Sequence, residues 1–482
     1  MKSFKKFLER LKPHIPESEW EAFVKGVTQP LDRSIRVSNI KYQISNNGWT
    51  LTNVKGISEA FLIDREDRSQ PLGKTLSHFN GDFYVQTLSS MLPVLALDPQ
   101  PEEKILDVCA APGSKSTFLS EKMGNTGVLI CNEMSASRIK KLVANLNRTK
   151  CLNTAVTQID GQKLDLWYSQ EFQKILLDAP CTSEGHGRKD ASFFEKTWKE
   201  KAIAQAAKLQ RKLIEQAFLV LKEGGEMVYS TCTMAGEENE LVVQWLVDNY
   251  GDYLQIIPHG LPKAIPFRAG LKFWGEQEIY PEISKHSARI WPHIESKTFS
   301  SEAFYLCKIR KTQGLSRPNP PRKGELETDF KIIKKNERAE IITRLHKTWG
   351  LDKALLKDLV LIQKNEILFM ATKDTVNFAS KNKVQRLGFK VMDEYGFLSS
   401  EFAIAFGEHM NNNIVQLNED QMPRWMRGED LPLEGLTSPQ EDRGALNPEV
   451  LIKYKAYTLG TGKWMEKEGR LKNRLDRNLL WR

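Results

Sequence analysis

The sequence predicts an α/β fold, a mostly parallel sheet flanked by helices, with a small α+β unit beyond it. Three observations carry this. Strand-length apolar runs alternate with helix-period segments from about Lys104 to Asn249. Small residues and Gly113 follow the first of these strands directly. The stretch "TQGLSRPNPPRKGE", residues 312–325, is rich in Pro, Gly and charge without periodicity, which marks a linker and a domain boundary. At 482 residues the chain exceeds one ordinary core and points to about three units.

Taken in order, "MKSFKKFLERLKPHIP" spaces Phe4, Phe7, Leu8 and Leu11 on one helical face, and its charges interrupt any signal-peptide core. "KILDVCA" reads as a strand and "SKSTFLSEKM" as a helix; "GVLICNE" follows as a strand, then a helix with Ile139, Leu142, Val143 and Leu146 on one face. "NTAVTQID" and "KILLDAP" are the next strands. A helix with Ile203, Ala206, Leu213, Ile214, Ala217 and Leu221 in its stripe is predicted to stop at Gly224-Gly225. "EMVYSTC" and "EENELVVQWLVDNY" complete the alternation as strand and helix. Past the linker, "EILFMATKD", "TVNFASKNKVQRLG" and "FKVMDEYGF" read as strand, helix and strand, and the last seventy or so residues as short strands and turns.

Composition narrows the function. No stretch approaches the roughly 20 apolar residues of a membrane span. Six cysteines lie 20 or more residues apart with no C-x-x-C pair, so neither a disulfide framework nor a zinc site is indicated and no metal is expected. The reading is of a cytoplasmic protein with reduced thiols and no membrane partner. Net charge is +9, and the stretch from Leu451 to Arg482 holds nine Lys/Arg against Glu466, Glu468 and Asp476. That asymmetry points to a polyanion. Tyr454, Tyr457, Trp464 and Trp481, interleaved with these charges, argue for a folded surface over a solvated tail.

In open α/β sheets ligands bind beyond the carboxyl ends of the strands. "DVCAAPGSKS" lets backbone N–H groups approach a ligand and presents a helix N-terminus to a carboxylate. It is no P-loop, because Ser114 precedes Lys115, and G-x-G-x-x-G is absent, which disfavours a nicotinamide enzyme. Asp107, Glu133, Asp160 and Asp178 close four successive strands. One such acid is more often a helix cap. Four in register suggest an adenosine-containing cofactor, with Glu133 placed for a ribose diol and Asp160 for an adenine amine. Two thiols, Cys181 in "DAPC" and Cys232 in "YSTCT", also stand where apolar runs stop, positions suited to an activated nucleophile. Cys109, Cys131, Cys151 and Cys307 are read as packing thiols.

These motifs, with "FYVQTLSSMLP", "GHGRKD" and "RIWPH", resemble the RNA cytosine-5 methyltransferases related to the nucleolar Nop2 and Sun proteins. The resemblance is strong across roughly 80–312. It implies a Rossmann-like class I SAM-dependent methyltransferase core at 96–312, an N-terminal α+β RNA-binding domain at 1–95, a linker at 313–329, a small α+β pre-PUA domain at 330–410 and a PUA-like RNA-binding domain at 411–482. It assigns S-adenosyl-L-methionine to Cys109, Ala110, Ala111, Pro112, Gly113, Ser114, Lys115, Glu133, Arg138, Asp160 and Asp178. Cys232 becomes the nucleophile toward carbon 6 of cytosine, Cys181 assists cleavage of the thioether, and Asp178 contacts the ring. DNA cytosine methyltransferases use the proline-cysteine thiol instead, so the reversed assignment competes. His186, Arg188 and Lys189 are expected along an RNA channel, and Lys463, Lys472 and Arg474 on the C-terminal RNA surface. The implied partner is small-subunit ribosomal RNA, within a small ribosomal subunit, acted on by a monomer. Rival readings are a transfer-RNA cytosine as substrate, a ribosome-assembly factor with lapsed activity, and an exocyclic-amine methyltransferase. The last lacks its N/D-P-P-Y/F tetrapeptide, since the fourth strand ends in "DAPC".

Overall fold

The computed structural model describes residues 2–37, 48–66, 69–315, 330–437, 449–477 and 479–481. Of the linker expected at 313–329, residues 316–329 lie outside the described residues. The chain divides into two compact units, the first formed by Met1–Asp67, Tyr84–Leu142 and Val156–Gly324, the second by Arg68–Phe83, Val143–Ala155 and Glu325–Arg482.

The first unit is organised by one sheet. Its strands β1 (Lys104–Asp107), β2 (Val128–Asn132), β3 (Thr154–Thr157), β4 (Phe172–Asp178), β5 (Leu221–Thr231), β6 (Ala288–Ile290) and β7 (Phe304–Lys311) run in the spatial order β6-β7-β5-β4-β1-β2-β3. β1 pairs in parallel with β2 and β4, β4 in parallel with β5, and β5 antiparallel with β7. Helices α1 (Ser114–Lys122), α2 (Ala136–Arg148), α3 (Lys201–Val220) and α4 (Glu240–Tyr250) connect the strands. Short apolar runs such as "ILL" in β4 and "VLIC" in β2 are what a sheet covered on both faces requires. The strand order reverses across β1 and β4, and the crevice at their carboxyl ends is where the predicted site lies.

One element differs from its expectation. The α3 helix ends at Val220, and β5 starts at Leu221 and runs through the glycine pair. Gly224 adopts φ +72° beside a register shift against β4, and a Cβ on Gly225 would meet the Gln173 carbonyl at 2.9 Å. The glycines therefore form a bulge in a strand and do not cap a helix.

At the N-terminus the predicted amphipathic helix spans Lys2–Leu11, with Phe7 and Leu11 buried. Phe7 packs on Phe194 with ring centroids 4.2 Å apart, so this helix joins the core around Phe193 and Trp198. A four-stranded sheet, in the order Trp49–Val54, Ile57–Arg65, Ser34–Val37 and Phe83–Val85, follows it.

The second unit holds two further sheets. One contains the predicted strand, helix and strand as Ile367–Thr372, Lys373–Ala379 and Phe389–Met392, joined by the unpredicted Leu359–Lys364 and the helix Lys335–Trp349. The other has five strands, centred on Glu449–Tyr454 and Tyr457–Met465. Tyr454 and Trp464 are buried in its core around Trp425, and Tyr457 and Trp481 pack against the same cluster. These aromatics close a small sheet; they are not an exposed stacking surface.

Candidate active site

Each strand of the parallel core delivers one group to the crevice. β1 ends in Asp107, buried, with Oδ2 accepting from Ser116 Oγ at 2.7 Å and Oδ1 without a hydrogen-bond partner. Burial pushes its carboxyl up to about 7. The loop from Cys109 to Gly113 is pinned at its start by Ala110 N–H, which donates to the Asn132 carbonyl at 2.8 Å. Gly113 then takes φ +109°, a conformation that favours glycine, and α1 begins at Ser114. Ala111–Pro112 is a cis peptide.

β2 delivers Glu133, a nearly buried carboxylate. Its Oε1 accepts from Ser135 N–H at 2.9 Å, and its Oε2 lies 3.1 Å from Arg138 Nη1. Arg138 also donates through Nη2 to the Ala111 carbonyl at 2.6 Å, tying the α1 loop to the end of β2. Asp160, beyond β3, caps the short helix Gly161–Leu166 by accepting from Gln162 N–H at 3.0 Å. The cap reading of this acid is realised, and it leaves the other oxygen about 4.0 Å from Lys163.

β4 and β5 converge on the thiols. Asp178 pairs with Ser230 in the parallel register, and Ser230 Oγ donates to its Oδ1 at 2.9 Å. Lys115 Nζ, buried and also over the Phe304 ring, donates to Asp178 Oδ2 at 2.7 Å. Lys115 is therefore not the solvated lysine that its charge alone suggests. Cys181 and Cys232, 51 positions apart in sequence, bring their sulfurs to 3.3 Å. Both are partly accessible, whereas Cys131, Cys151 and Cys307 are buried.

The two thiols are not equivalent. Hydrogen bonding from Cys181 is the largest influence on Cys232 and lowers it; burial opposes this, and a hydrogen bond from His186 adds to the lowering. Cys181 is raised, first by its bond to Cys232 and then by burial. His186 is raised in turn, chiefly by Cys232. With hydrogen bonds from Cys181, His186 and Ser183 lowering it while Cys181 is raised, Cys232 is the more readily ionised thiol of the pair.

A carboxylate scaffold that sequence reasoning missed holds both loops in place. Glu238, buried, accepts from Thr182 N–H at 3.0 Å, from Gln210 Nε2 at 2.8 Å and from the Thr182 hydroxyl. Burial pushes Glu238 up to about 7. Glu184 accepts from Trp198 Nε1, Thr233 Oγ1 and Met234 N–H at 2.8–2.9 Å. Gln210, in the apolar stripe of α3, also donates to the Pro180 carbonyl at 2.9 Å. The only sequence signal for these groups is a polar residue at a stripe position and the unusual acid run "GEENE".

The expected RNA-channel residues separate. Arg188 is buried, and its guanidinium donates to the carbonyls of Gln29, Pro292 and Ser301 and to Glu295 Oε1, at 2.6–3.0 Å. Its burial and these internal acceptors make it a clamp between loops, which corrects the expectation of an exposed channel residue. Lys189 is exposed and 3.2 Å from Glu302. In the second unit Arg474 pairs with Asp393 at 2.8 Å and lies 4.1 Å from the centre of the Phe397 ring, so it too is structurally engaged. Lys463 and Lys472 face each other across an antiparallel pair.

The description "16S rRNA methyltransferase RsmB/F" matches residues 94–310, "N-terminal domain of 16S rRNA methyltransferase RsmF" residues 4–88, and "Methyltransferase RsmF PUA domain" residues 412–481. The ribosomal RNA small subunit methyltransferase F of Aeromonas salmonicida (strain A449) is 33% identical over 95% of this chain and 93% of its own length. This chain belongs to the RsmF family. The Escherichia coli (strain K12) enzyme of the same name is 32% identical over 98% of this chain and 96% of its own. Among solved structures, a methyltransferase homolog protein from Pyrococcus horikoshii is 30% identical, with a TM-score of 0.54 over 64% of this chain and 95% of that one. As an RsmF-family member the chain is a SAM-dependent ribosomal RNA methyltransferase with a class I Rossmann-like core, an N-terminal domain and a C-terminal PUA domain. The site's chemistry fits S-adenosylmethionine: carboxylate acceptors at the end of β2, a glycine-opened helix N-terminus, and the unpartnered buried Asp107 Oδ1. Among the described residues no helix is long and apolar enough to cross a membrane, and no side-chain group could hold a metal.

Proposed function

We propose that this RsmF-family enzyme methylates carbon 5 of a cytosine in 16S ribosomal RNA, with Cys232 as covalent nucleophile. The observation that carries the reading is the pair of sulfurs 3.3 Å apart, with Cys232 lowered by the hydrogen bonds it accepts and Cys181 raised. Carbon 5 of cytosine is a poor nucleophile; adding a thiolate to carbon 6 leaves an enamine that is not. Bound S-adenosylmethionine supplies an electrophilic methyl group, held by the loop 109–115 with Glu133 and Arg138. Asp178 already accepts donors on both oxygens, so it meets the base as an acceptor for the exocyclic amine, and Lys115 and Ser230 fix its orientation. Cys181 then assists departure of the proton from carbon 5 and cleavage of the thioether. The reversed assignment requires the raised thiol to attack, which disfavours it.

The target cytosine must leave its stack to reach sulfurs in a cleft. Exposed Lys189, and the Lys463–Lys472 pair of the PUA domain, supply sequence-independent phosphate contacts. The same reading takes the substrate as ribosomal RNA within a small subunit, the enzyme as a cytoplasmic monomer, and the domains as 1–95, 96–312, 330–410 and 411–482.

The decisive experiment pairs two variants on rRNA substrate. Cys232→Ala loses methyl transfer by at least about 10³-fold while S-adenosylmethionine binding persists, and Cys181→Ala accumulates a protein–RNA adduct stable in denaturing gels. Turnover by Cys232→Ala sinks the assignment.

A further inference from the structure

We propose that Glu238 is a neutral carboxylic acid, and that its proton joins the loop bearing Cys181 to the loop bearing Cys232. The residue after each cysteine is a threonine, and the two hydroxyls meet: Thr182 Oγ1 lies 3.0 Å from Thr233 Oγ1. Each also contacts a buried carboxyl group, Thr182 that of Glu238 and Thr233 that of Glu184, the latter at 2.8 Å. Four oxygens in a row, Glu238 Oε1, Thr182 Oγ1, Thr233 Oγ1 and Glu184 Oε2, thus make three hydrogen-bond contacts. A hydroxyl has one proton to give, so the two threonines supply two of the three. With both acids ionised, each threonine donates outward and the hydroxyl oxygens face each other lone pair to lone pair. A third proton, on one of the carboxyl groups, completes the row.

The N–H donors decide which acid holds it. Glu184 accepts on both oxygens, from Trp198 Nε1 on Oε1 and from Met234 N–H on Oε2, each at 2.9 Å, which favours its charged form. Glu238 receives both of its N–H donors, from Thr182 and Gln210, on Oε2. The Pro180 carbonyl, which can only accept, fixes the Gln210 amide nitrogen on that side. Glu238 Oε1 meets the Thr182 hydroxyl and no N–H, and is the oxygen that carries the proton. Donation then runs from Glu238 through Thr182 and Thr233 to Glu184, which reverses the bond between Glu238 and Thr182. The surrounding charges agree. Burial is the largest influence on both acids and raises both; Glu184 raises Glu238 further, whereas Arg10 of the N-terminal helix opposes the rise of Glu184. Arg10 itself pairs with Glu237 at 2.8 Å. Also facing Glu238 are the Cys181 thiol and the Tyr229 phenol of β5, whose hydroxyl donates to the Glu238 carbonyl at 2.5 Å. When Glu238 ionises, its proton leaves to solvent and the two loops lose one tie.

The part this tie plays in catalysis rests on the thiol chemistry proposed above; the protonation of Glu238 does not. Infrared difference spectra of the full chain, native minus Glu238→Gln and without RNA or cofactor, read the proton directly. At about pH 6 the native protein should show the carbonyl stretch of a protonated carboxyl, giving way to carboxylate bands by about pH 9. Asp107, present in both proteins, cancels. Carboxylate bands alone at about pH 6 overturn the proposal. Thr182→Val removes the acceptor from the acid and should move that stretch, again isolated by Glu238→Gln, to higher frequency; an unmoved stretch overturns the relay. For positioning, the readout is the ratio of kcat for rRNA methylation, Glu238→Gln over native, in which titration of the thiols cancels. The glutamine amide keeps a donor toward Thr182 at every pH, so the ratio should rise at least about fivefold between about pH 6 and about pH 9, with KM for RNA unchanged. A flat ratio overturns the positioning role. Failure of the nucleophile assignment would appear separately, as turnover by Cys232→Ala.

Discussion

Burial acts on Asp107 and Cys232 in the same sense, against charge, yet Asp107 is raised above its ordinary value and Cys232 is lowered below its own. At Asp107 burial outweighs the hydrogen bond from Ser116, and its carboxyl rises to about 7. Cys232 accepts from Cys181, His186 and Ser183 and is lowered. The raised Asp107 stabilises the fold fully below about pH 4, and that contribution is lost as pH climbs through about 7. Asp107→Asn, which keeps an acceptor for Ser116 and carries no charge, should therefore gain on the native chain by up to about 4 kcal/mol between pH 4 and 8. Urea melts of the cofactor-free protein at the two pH values check it; an equal difference at both would refute the buried-acid account. The identities of Cys181, Cys232 and Glu133 as site candidates were legible because strand-end position is visible in sequence. The roles of Glu238 and Glu184 were not, since their donors come from α3 and from loops far along the chain.

The element scale shows where a motif misleads. "GRKD" reads as a basic strip for phosphate, but Arg188 is buried and turns Nε and Nη1 onto internal acceptors. Nothing in one sequence distinguishes the two, because the acceptors lie at positions 29, 292, 295 and 301. Arg188→Ala should cost about 3 kcal/mol of stability by stranding Glu295 and three carbonyls, while leaving the salt dependence of RNA binding unchanged. Denaturant melts alongside salt-dependent binding separate those effects, and a flattened salt dependence would restore Arg188 to the RNA surface. The glycine pair teaches a similar lesson. Gly224-Gly225 looks like a helix stop because α3 does end nearby, but the register of β5 against β4 starts at Leu221 and absorbs both residues. Alternation of strand and helix survived this error, because hydrophobic period depends on many positions and an element boundary on few.

For the whole molecule, charge placement is the quantity the sequence carried least well. The C-terminal excess was visible, and so was its folded character, but of the interleaved aromatics Tyr454 and Trp464 are core residues of a small sheet and Tyr457 and Trp481 pack against that core. What remains on the strands is Lys463 opposite Lys472, like charges that an unbound sheet holds at some cost. Replacing both by Glu should reduce the slope of log K against log salt for rRNA by about two and leave the methyl-transfer rate at saturating RNA nearly unchanged. An unaltered slope would place the RNA contact elsewhere.

The parallel register of β4 with β5 has a consequence for engineering. Asp178 and Ser230 align across the ladder, and the loops that leave them carry one sulfur each, so the chemistry belongs to a pair of strands and to neither alone. A chimera that imported either segment from a distant homologue would inherit half a reaction centre; transplanting 176–190 together with 226–240 moves both sulfurs and Asp178, and the host must still supply Lys115, Trp198 and Gln210 to hold them.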